Sequence, residues 1–283
     1  MKFRLNKKGL MFTIMTVLLF FSLFIFSKTY LERSENFKYT LVQTSIPEKM
    51  RYIEDDIVSN LYFDIMDINV SNIERSGGEL SVNFSNTIYF QNNQNYDTKM
   101  QDYQTFIEED YAMLQNVDLT LTNFGANLTI EPYQSIIDID ESQLLILNNA
   151  SKMQEISLSL KVNEEDYTTL NEDTTAGTET IILIVLNSTN DMIHQDSYSL
   201  DPTVESTVTL SFGSNDVTIK FGNFDSYPDS TLQLQTDLYT ELTELGFVYT
   251  EDSEITVIRG GNFTISNVIN DISKETEIIL VEE

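Results

Sequence analysis

Chemistry in this chain has few places to reside. There is one histidine, His194 in NDMIHQDS, and no cysteine. A serine–histidine–carboxylate relay or a histidine-assisted metal site would therefore have to be built around His194. The simpler reading is a surface side chain near a strand end. Without cysteine there is no disulfide, thiolate zinc site, iron–sulfur cluster or thiol nucleophile. No G-x-S-x-G elbow, P-loop or H-E-x-x-H helix occurs. The 45 acidic residues make chance carboxylate pairs certain, so a glycosidase-like pair would leave no readable signature. The chain is not expected to be an enzyme, and no catalytic or cofactor-binding residue is assigned.

Carboxylates also suit calcium, which makes DIDES the first stretch to compare with a calcium loop. Asp138, Asp140 and Ser142 match its opening, but its sixth position holds Gln143 in place of glycine and its twelfth Asn149 in place of glutamate. That loop is rejected, and no metal ligand is assigned. Loosely bound calcium would draw on Glu164 to Asp166 or Glu251 to Glu254, where the alternative is a solvated charge cluster.

Six Asn-x-Ser/Thr sequons offer an amide for glycosylation, at Asn69, Asn83, Asn127, Asn149, Asn187 and Asn262. With 24 Asn and 55 Ser plus Thr in 283 residues, that number is close to chance. The sequons permit modification without arguing for it.

The formal charge is −29, and residues 100–283 carry the excess, with 5 Lys and Arg against 34 Asp and Glu. Such a surface repels phosphate, so nucleic acid is no partner. The acid serves solubility and tolerance of salt.

The strongest signal lies at the start, in NKKGLMFTIMTVLLFFSLFIFSKTY. Between Lys8 and Lys28 there are 19 residues without a charge, which as a helix would reach about 28 Å, close to the hydrocarbon thickness of a bilayer. The twelve Leu, Ile, Phe and Val residues from Leu10 to Phe26 favour insertion by roughly 4 to 7 kcal/mol in all. Lys2, Arg4, Lys7 and Lys8 precede the span and the first acid, Glu32, follows it. The positive-inside rule then keeps the N-terminus in the cytoplasm and places the chain from about residue 28 outside the cell membrane. A cleaved secretory signal would have a shorter apolar core and a pair of small residues after it, which Phe26-Ser27-Lys28-Thr29-Tyr30 does not provide.

Lys7-Lys8-Gly9 directly before Leu10 resembles the class III signal of type IV pilin-like proteins. There the peptidase cuts after the glycine and the apolar helix stays attached. The resemblance implies processing at Lys7, Lys8, Gly9 and Leu10, with Leu10 as the new terminus. The fifth residue after the cut is Ile14, where bacterial pilins carry glutamate and archaeal members often do without it. The opening is also similar to a group of single-pass surface proteins of archaea with a KKG-x-x-FTI start and an acidic IEDDI-type helix. Here the matching residues are Lys7, Lys8, Gly9, Phe12, Thr13 and Ile14, then Ile53-Glu54-Asp55-Asp56-Ile57. That likeness covers about the first 70 residues and implies a topology, with no activity.

Beyond the span, residues 28–70 read as a helical stalk. Pro47 is expected to end or kink it and to open a second helix, in which Met50, Ile53, Ile57, Leu61 and Ile65 form one apolar face. From Ser76-Gly77-Gly78 onward the pattern alternates with period two in ELSVNF, VDLTLTNF, ANLTIEP, ISLSLKV, ETIILIVLN, STVTLSF, NDVTIKF, SEITVIR, NFTIS and TEIILVE. Two helices are expected to interrupt the strands. One carries Tyr103, Phe106, Ile107, Tyr111 and Leu114, and the other carries Leu238, Leu242 and Leu245 before Gly246 as a stop. Residues 163–180 form the longest acidic stretch and are the place for a loop or subdomain boundary.

The expected fold is mainly β with N-terminal α. It comprises a basic N-terminus at 1–9, a transmembrane helix at 10–27, the stalk at 28–70, and an antiparallel β-sandwich ectodomain with minor helices at 71–283. The function expected is that of a membrane-anchored extracytoplasmic structural or surface protein, with a pilin-like subunit as one form of it. Its partners would be the lipid bilayer and copies of itself or other pilin-like subunits. The alternative is an anchored adhesin or S-layer-associated binding module that does not assemble.

Overall fold

The computed structural model describes residues 7–60, 68–91, 96–122, 127–140, 142–148, 153–250, 257–267 and 272–282. The chain divides into two compact units between Asp55 and Asp56.

Helix α1, Lys7–Asn60, is a single element of 54 residues that fills the first unit and enters the second. The break expected at Pro47 does not occur. An interior proline removes one backbone hydrogen bond and crowds the carbonyl four residues back, at a cost of about 3 kcal/mol. That cost is local, and the ladders on both sides of it are long. Within α1, Met50, Ile53 and Ile57 are buried while Arg51, Tyr52, Asp55 and Asp56 are exposed, so the predicted apolar face exists up to Ile57. Leu61 and Ile65 lie outside the described residues.

After α1 the second unit continues with strands β1 (Ile68–Ser76) and β2 (Glu79–Phe90), joined by the predicted Gly77-Gly78 turn. β1 starts inside the segment expected to be stalk. Its pattern is blurred by a register shift between Val70 and Asn72, which breaks strict alternation. Next comes a helical segment built of α2 (Tyr96–Thr105), a π-helical turn (Phe106–Tyr111) and α3 (Ala112–Gln115). The predicted helix is present, but the π turn rotates its inner face. Ile107 and Ala112, five apart, are buried, whereas Phe106 and Leu114 are exposed.

Fourteen further strands follow among the described residues. They are β3 (Asp118–Thr122), β4 (Asn127–Glu131), β5 (Ser135–Ile139), β6 (Gln143–Asn148), β7 (Met153–Val162), β8 (Thr169–Asp173) and β9 (Ala176–Leu186). After these come β10 (Met192–Leu200), β11 (Ser206–Phe212), β12 (Asn215–Gly222), β13 (Thr231–Thr236), β14 (Thr240–Tyr249), β15 (Val257–Asn267) and β16 (Ile272–Glu282). One sheet has the order β1-β2-β14-β7-β9-β10. The other runs β16-β15-β4-β5-β6-β13-β12-β11-β8, with β3 also paired to β15. The two pack as a sandwich, and among the described residues every pairing is antiparallel except β7 with β9.

That parallel pair explains the acidic stretch. Parallel neighbours cannot be joined by a hairpin and need a crossover. After Val162 the chain leaves the six-stranded sheet, lays β8 along the edge of the other sheet against β11, and returns as β9. Residues 163–180 thus connect the two sheets inside the second unit.

The alternating runs bury one face each, as β11 shows with Ser206, Val208, Leu210 and Phe212 inside. Leu80, Val82, Phe84, Phe247 and Tyr249 from one sheet, with Ile130, Leu144, Val217 and Phe221 from the other, are at most 2% exposed. Burying each such side chain stabilises the fold by about 1.5 to 3 kcal/mol. Phe84 and Phe247 meet edge to face at 6.1 Å.

The helix expected at Leu238, Leu242 and Leu245 is absent: Leu238 lies in the bend after β13, and Leu242 and Leu245 lie in strand β14. Relative to β7, Thr243 is an extra residue, because Leu242 pairs with Leu160 and Glu244 with Ser159. Such a bulge turns Leu242 and Leu245 to the same side, and a spacing of three then imitates a helix. Thr243 occupies the bulge and donates its hydroxyl to the Ser159 carbonyl at 3.1 Å. Gly246 is not a helix stop. A Cβ on it would lie 2.4 Å from Ser157 Oγ and 2.6 Å from Asn83 Oδ1, side chains of the flanking strands.

Candidate functional site

The feature with the clearest physical demand is the N-terminal part of α1. Met15–Ser34 is long and apolar enough to cross a membrane, and none of it is buried within the protein. The side chains of Phe20, Phe21, Phe24 and Phe26 are each at least 63% exposed, and Leu18, Leu19, Leu23 and Ile25 at least 55%. An apolar surface running all round a helix demands a cover. Two hydroxyls within it are satisfied locally. Ser22 donates to the Leu19 carbonyl at 3.0 Å and Thr29 to that of Ile25 at 2.9 Å, which lowers the cost of placing hydroxyls in hydrocarbon. The first charges beyond the phenylalanines, Lys28 and Glu32, lie 3.8 Å apart one turn from each other. Of the processing residues, Lys7, Lys8, Gly9 and Leu10 form the first turn of α1, and their side chains lie outside the described residues.

His194 is not the surface residue that its neighbours suggested. It sits in β10, is only 7% exposed, and places Nε2 3.2 Å from the Tyr198 hydroxyl. Tyr198 in turn donates to Glu172 Oε1 at 2.9 Å, so Nε2 is the donor toward Tyr198. The Tyr167 ring meets the imidazole edge-on at 5.8 Å. Burial, and then Glu172, hold the Tyr198 phenol well above its usual range, which keeps it protonated. Glu172 belongs to edge strand β8 of one sheet, and His194 and Tyr198 to edge strand β10 of the other. The chain of bonds therefore clasps two sheet edges. It presents no activated nucleophile, since the hydroxyl at its centre is a donor held protonated.

The calcium candidates separate in the same way. In DIDES, Asp138 pairs across a tight hairpin with Leu145, and Asp140 N donates to the Gln143 carbonyl at 2.9 Å. Asp166 folds its carboxylate onto the backbone N–H of Tyr167 at 2.8 Å, and the Glu165 carbonyl accepts from Asn187. Glu251 to Glu254 lies outside the described residues. Among the described residues no group of three or more His, Asp or Glu side chains is arranged to hold a metal ion.

The pattern does not reveal a buried acid, Glu179 on β9. It is 9% exposed and accepts from the Ser230 hydroxyl at 2.7 Å. Burial raises its pKa, the Ser230 bond lowers it in part, and Asp229 adds to the rise. The exposed run that precedes it in β9 gives no sign of this.

The sequons differ sharply. Asn69 in β1 and Asn127 at the start of β4 are exposed. Asn83 and Asn262 are half-buried within strands that have neighbours on both sides. Asn187 is buried, with Oδ1 accepting from Thr189 N, Thr189 Oγ1 and Asp191 N, and Nδ2 directed at the Glu165 carbonyl. Asn149 lies outside the described residues.

Comparison with protein families, with characterised proteins and with solved structures finds no match to the chain. The class rests on the fold: a mainly β, sandwich-forming chain that carries an N-terminal helix with the length and polarity of a membrane span.

Proposed function

We propose that this is a membrane-anchored surface protein whose β-rich unit stands outside the cell, and that it acts as a structural subunit of the pilin-like kind. The observation that carries the reading is the fully exposed apolar helix Met15–Ser34, which continues without a break to Asn60. A continuous helix with a bare apolar stretch, followed along the chain by a β-rich unit, is suited to two covers, lipid before assembly and neighbouring helices after it. The charge arrangement supports an outside domain, with Lys7 and Lys8 before the span and the acidic excess beyond it. The Lys7-Lys8-Gly9 sequence supports processing before Leu10.

The mass of the mature chain tests this. A start at Leu10 accords with a pilin-like subunit, and an intact Met1 reduces the reading to a plain anchor. A start between Lys28 and Leu31 contradicts both. An adhesin would be separated from an assembling subunit by deleting the span: its outer unit keeps binding its target, whereas a subunit loses assembly.

A further inference from the structure

We infer that Asn69 and Asn127 are N-glycosylation sites and that Asn187, despite an intact sequon, is not. This rests on the outside placement proposed above and goes beyond it by selecting among six formally equal motifs.

The reaction makes a bond from the asparagine Nδ2 to the anomeric carbon of a sugar carried on a lipid phosphate. The anomeric carbon–oxygen bond breaks, the lipid phosphate departs with the bonding pair, and one amide proton passes to a base. The nitrogen must therefore be reachable, free to twist, and open to a sugar on its outer side. At Asn187 none of this holds. Its carbonyl oxygen takes three hydrogen bonds that shape the turn from Asn187 to Asp191, and its nitrogen donates to the Glu165 carbonyl. Glycosylation there would dismantle the turn between β9 and β10.

Asn83 fails on a different count. Its side chain lies over Gly246 in the neighbouring strand, and Nδ2 faces Ser81 Oγ at 3.3 Å. Asn262 is half-buried between β3 and β16. In contrast, the Asn69 and Asn127 side chains are exposed, and no described residue holds either amide by a hydrogen bond. Asn69 also stands on β1, an outermost strand of the six-stranded sheet. A glycan there would shield an open edge from pairing with another chain.

The test is glycopeptide mass spectrometry of the full chain taken from the membranes of its native organism, alongside Asn69→Gln, Asn127→Gln and Asn187→Gln variants. Protease treatment of intact cells reports separately on which side the β-rich unit lies. The expected result is sugar mass on the Asn69 and Asn127 peptides and none on the Asn187 peptide. Asn69→Gln and Asn127→Gln should each lower the chain mass by one glycan, and Asn187→Gln should leave the glycan mass unchanged. Bare Asn69 and Asn127 on a protease-accessible domain, or sugar on Asn187, overturns the inference while leaving the outside placement intact. A protease-protected domain overturns the placement and the inference with it.

Discussion

Tyr249 donates its hydroxyl to Ser135 Oγ over 2.9 Å, joining β14 of the six-stranded sheet to β5 of the ten-stranded one. The ring is wholly buried and stacks on Tyr133 at 4.0 Å. A buried phenol with a partner supplies both apolar area and a directional link between layers. Tyr249→Phe, which keeps the ring, should cost about 0.5 to 1.5 kcal/mol. Tyr249→Ala opens a cavity and should cost about 3 to 5 kcal/mol. Urea denaturation of the detergent-solubilised chain separates the two, and equal losses would mean that the ring's packing carries nothing.

Gly222 and Gly213 form a second contrast. Both have positive φ, +106° and +72°. A Cβ on Gly213 meets nothing within 4 Å, whereas one on Gly222 would lie 2.1 Å from the Val204 carbonyl oxygen. Gly213→Ala should cost only the left-handed backbone penalty, about 1 to 2 kcal/mol. Gly222→Ala must also displace backbone, so its loss should exceed about 3 kcal/mol. Thermal melts of the two variants give the comparison.

Glu179 makes stability depend on pH in an unusual direction for an acid. Its folded pKa is raised, chiefly by burial, so the folded state holds that proton more tightly than the unfolded chain. The contribution is fully present below the unfolded carboxylate value and is lost as pH rises through the folded one. Glu179→Gln keeps the shape without the charge. Its denaturation midpoint should match the parent near pH 4 and exceed it near pH 7, and a constant offset across that range would sink the explanation.

The span can be challenged directly. An arginine near the centre of a membrane helix costs about 2.5 to 3.5 kcal/mol. Leu19→Arg combined with Phe21→Arg therefore offsets most of the roughly 4 to 7 kcal/mol available for insertion. The double variant should move from the membrane fraction to the soluble or aggregated fraction. Leu19→Ile with Phe21→Leu should stay in the membrane.

Much of this architecture was legible in residue spacing, because strands such as β11 and β12 bury alternate side chains and display the period directly. Where both faces are covered the period vanishes. In β13, Thr231, Leu232, Gln233 and Leu234 are all buried, so the strand left no alternation to read. β14 misled for a different reason, since its bulge at Thr243 creates a helical spacing from a strand. Pro47 and the π turn at Phe106–Tyr111 are local departures that a long or well-packed helix absorbs. Of the candidate groups, the exposed apolar span was evident from composition. The burial of His194 was not, because its partners Tyr167 and Glu172 lie 27 and 22 residues away and reach it only through the crossover between sheets.

The central claim is that the apolar helix is retained in the membrane with the β-rich unit outside. Protease shaving of intact cells, followed by mass measurement of the fragment left in the membrane, tests it most directly. The account predicts a residual fragment that contains Met15–Ser34 and lacks the strands from Ile68 onward. A fully protected chain, or one released into the medium with a start between Lys28 and Leu31, would contradict it.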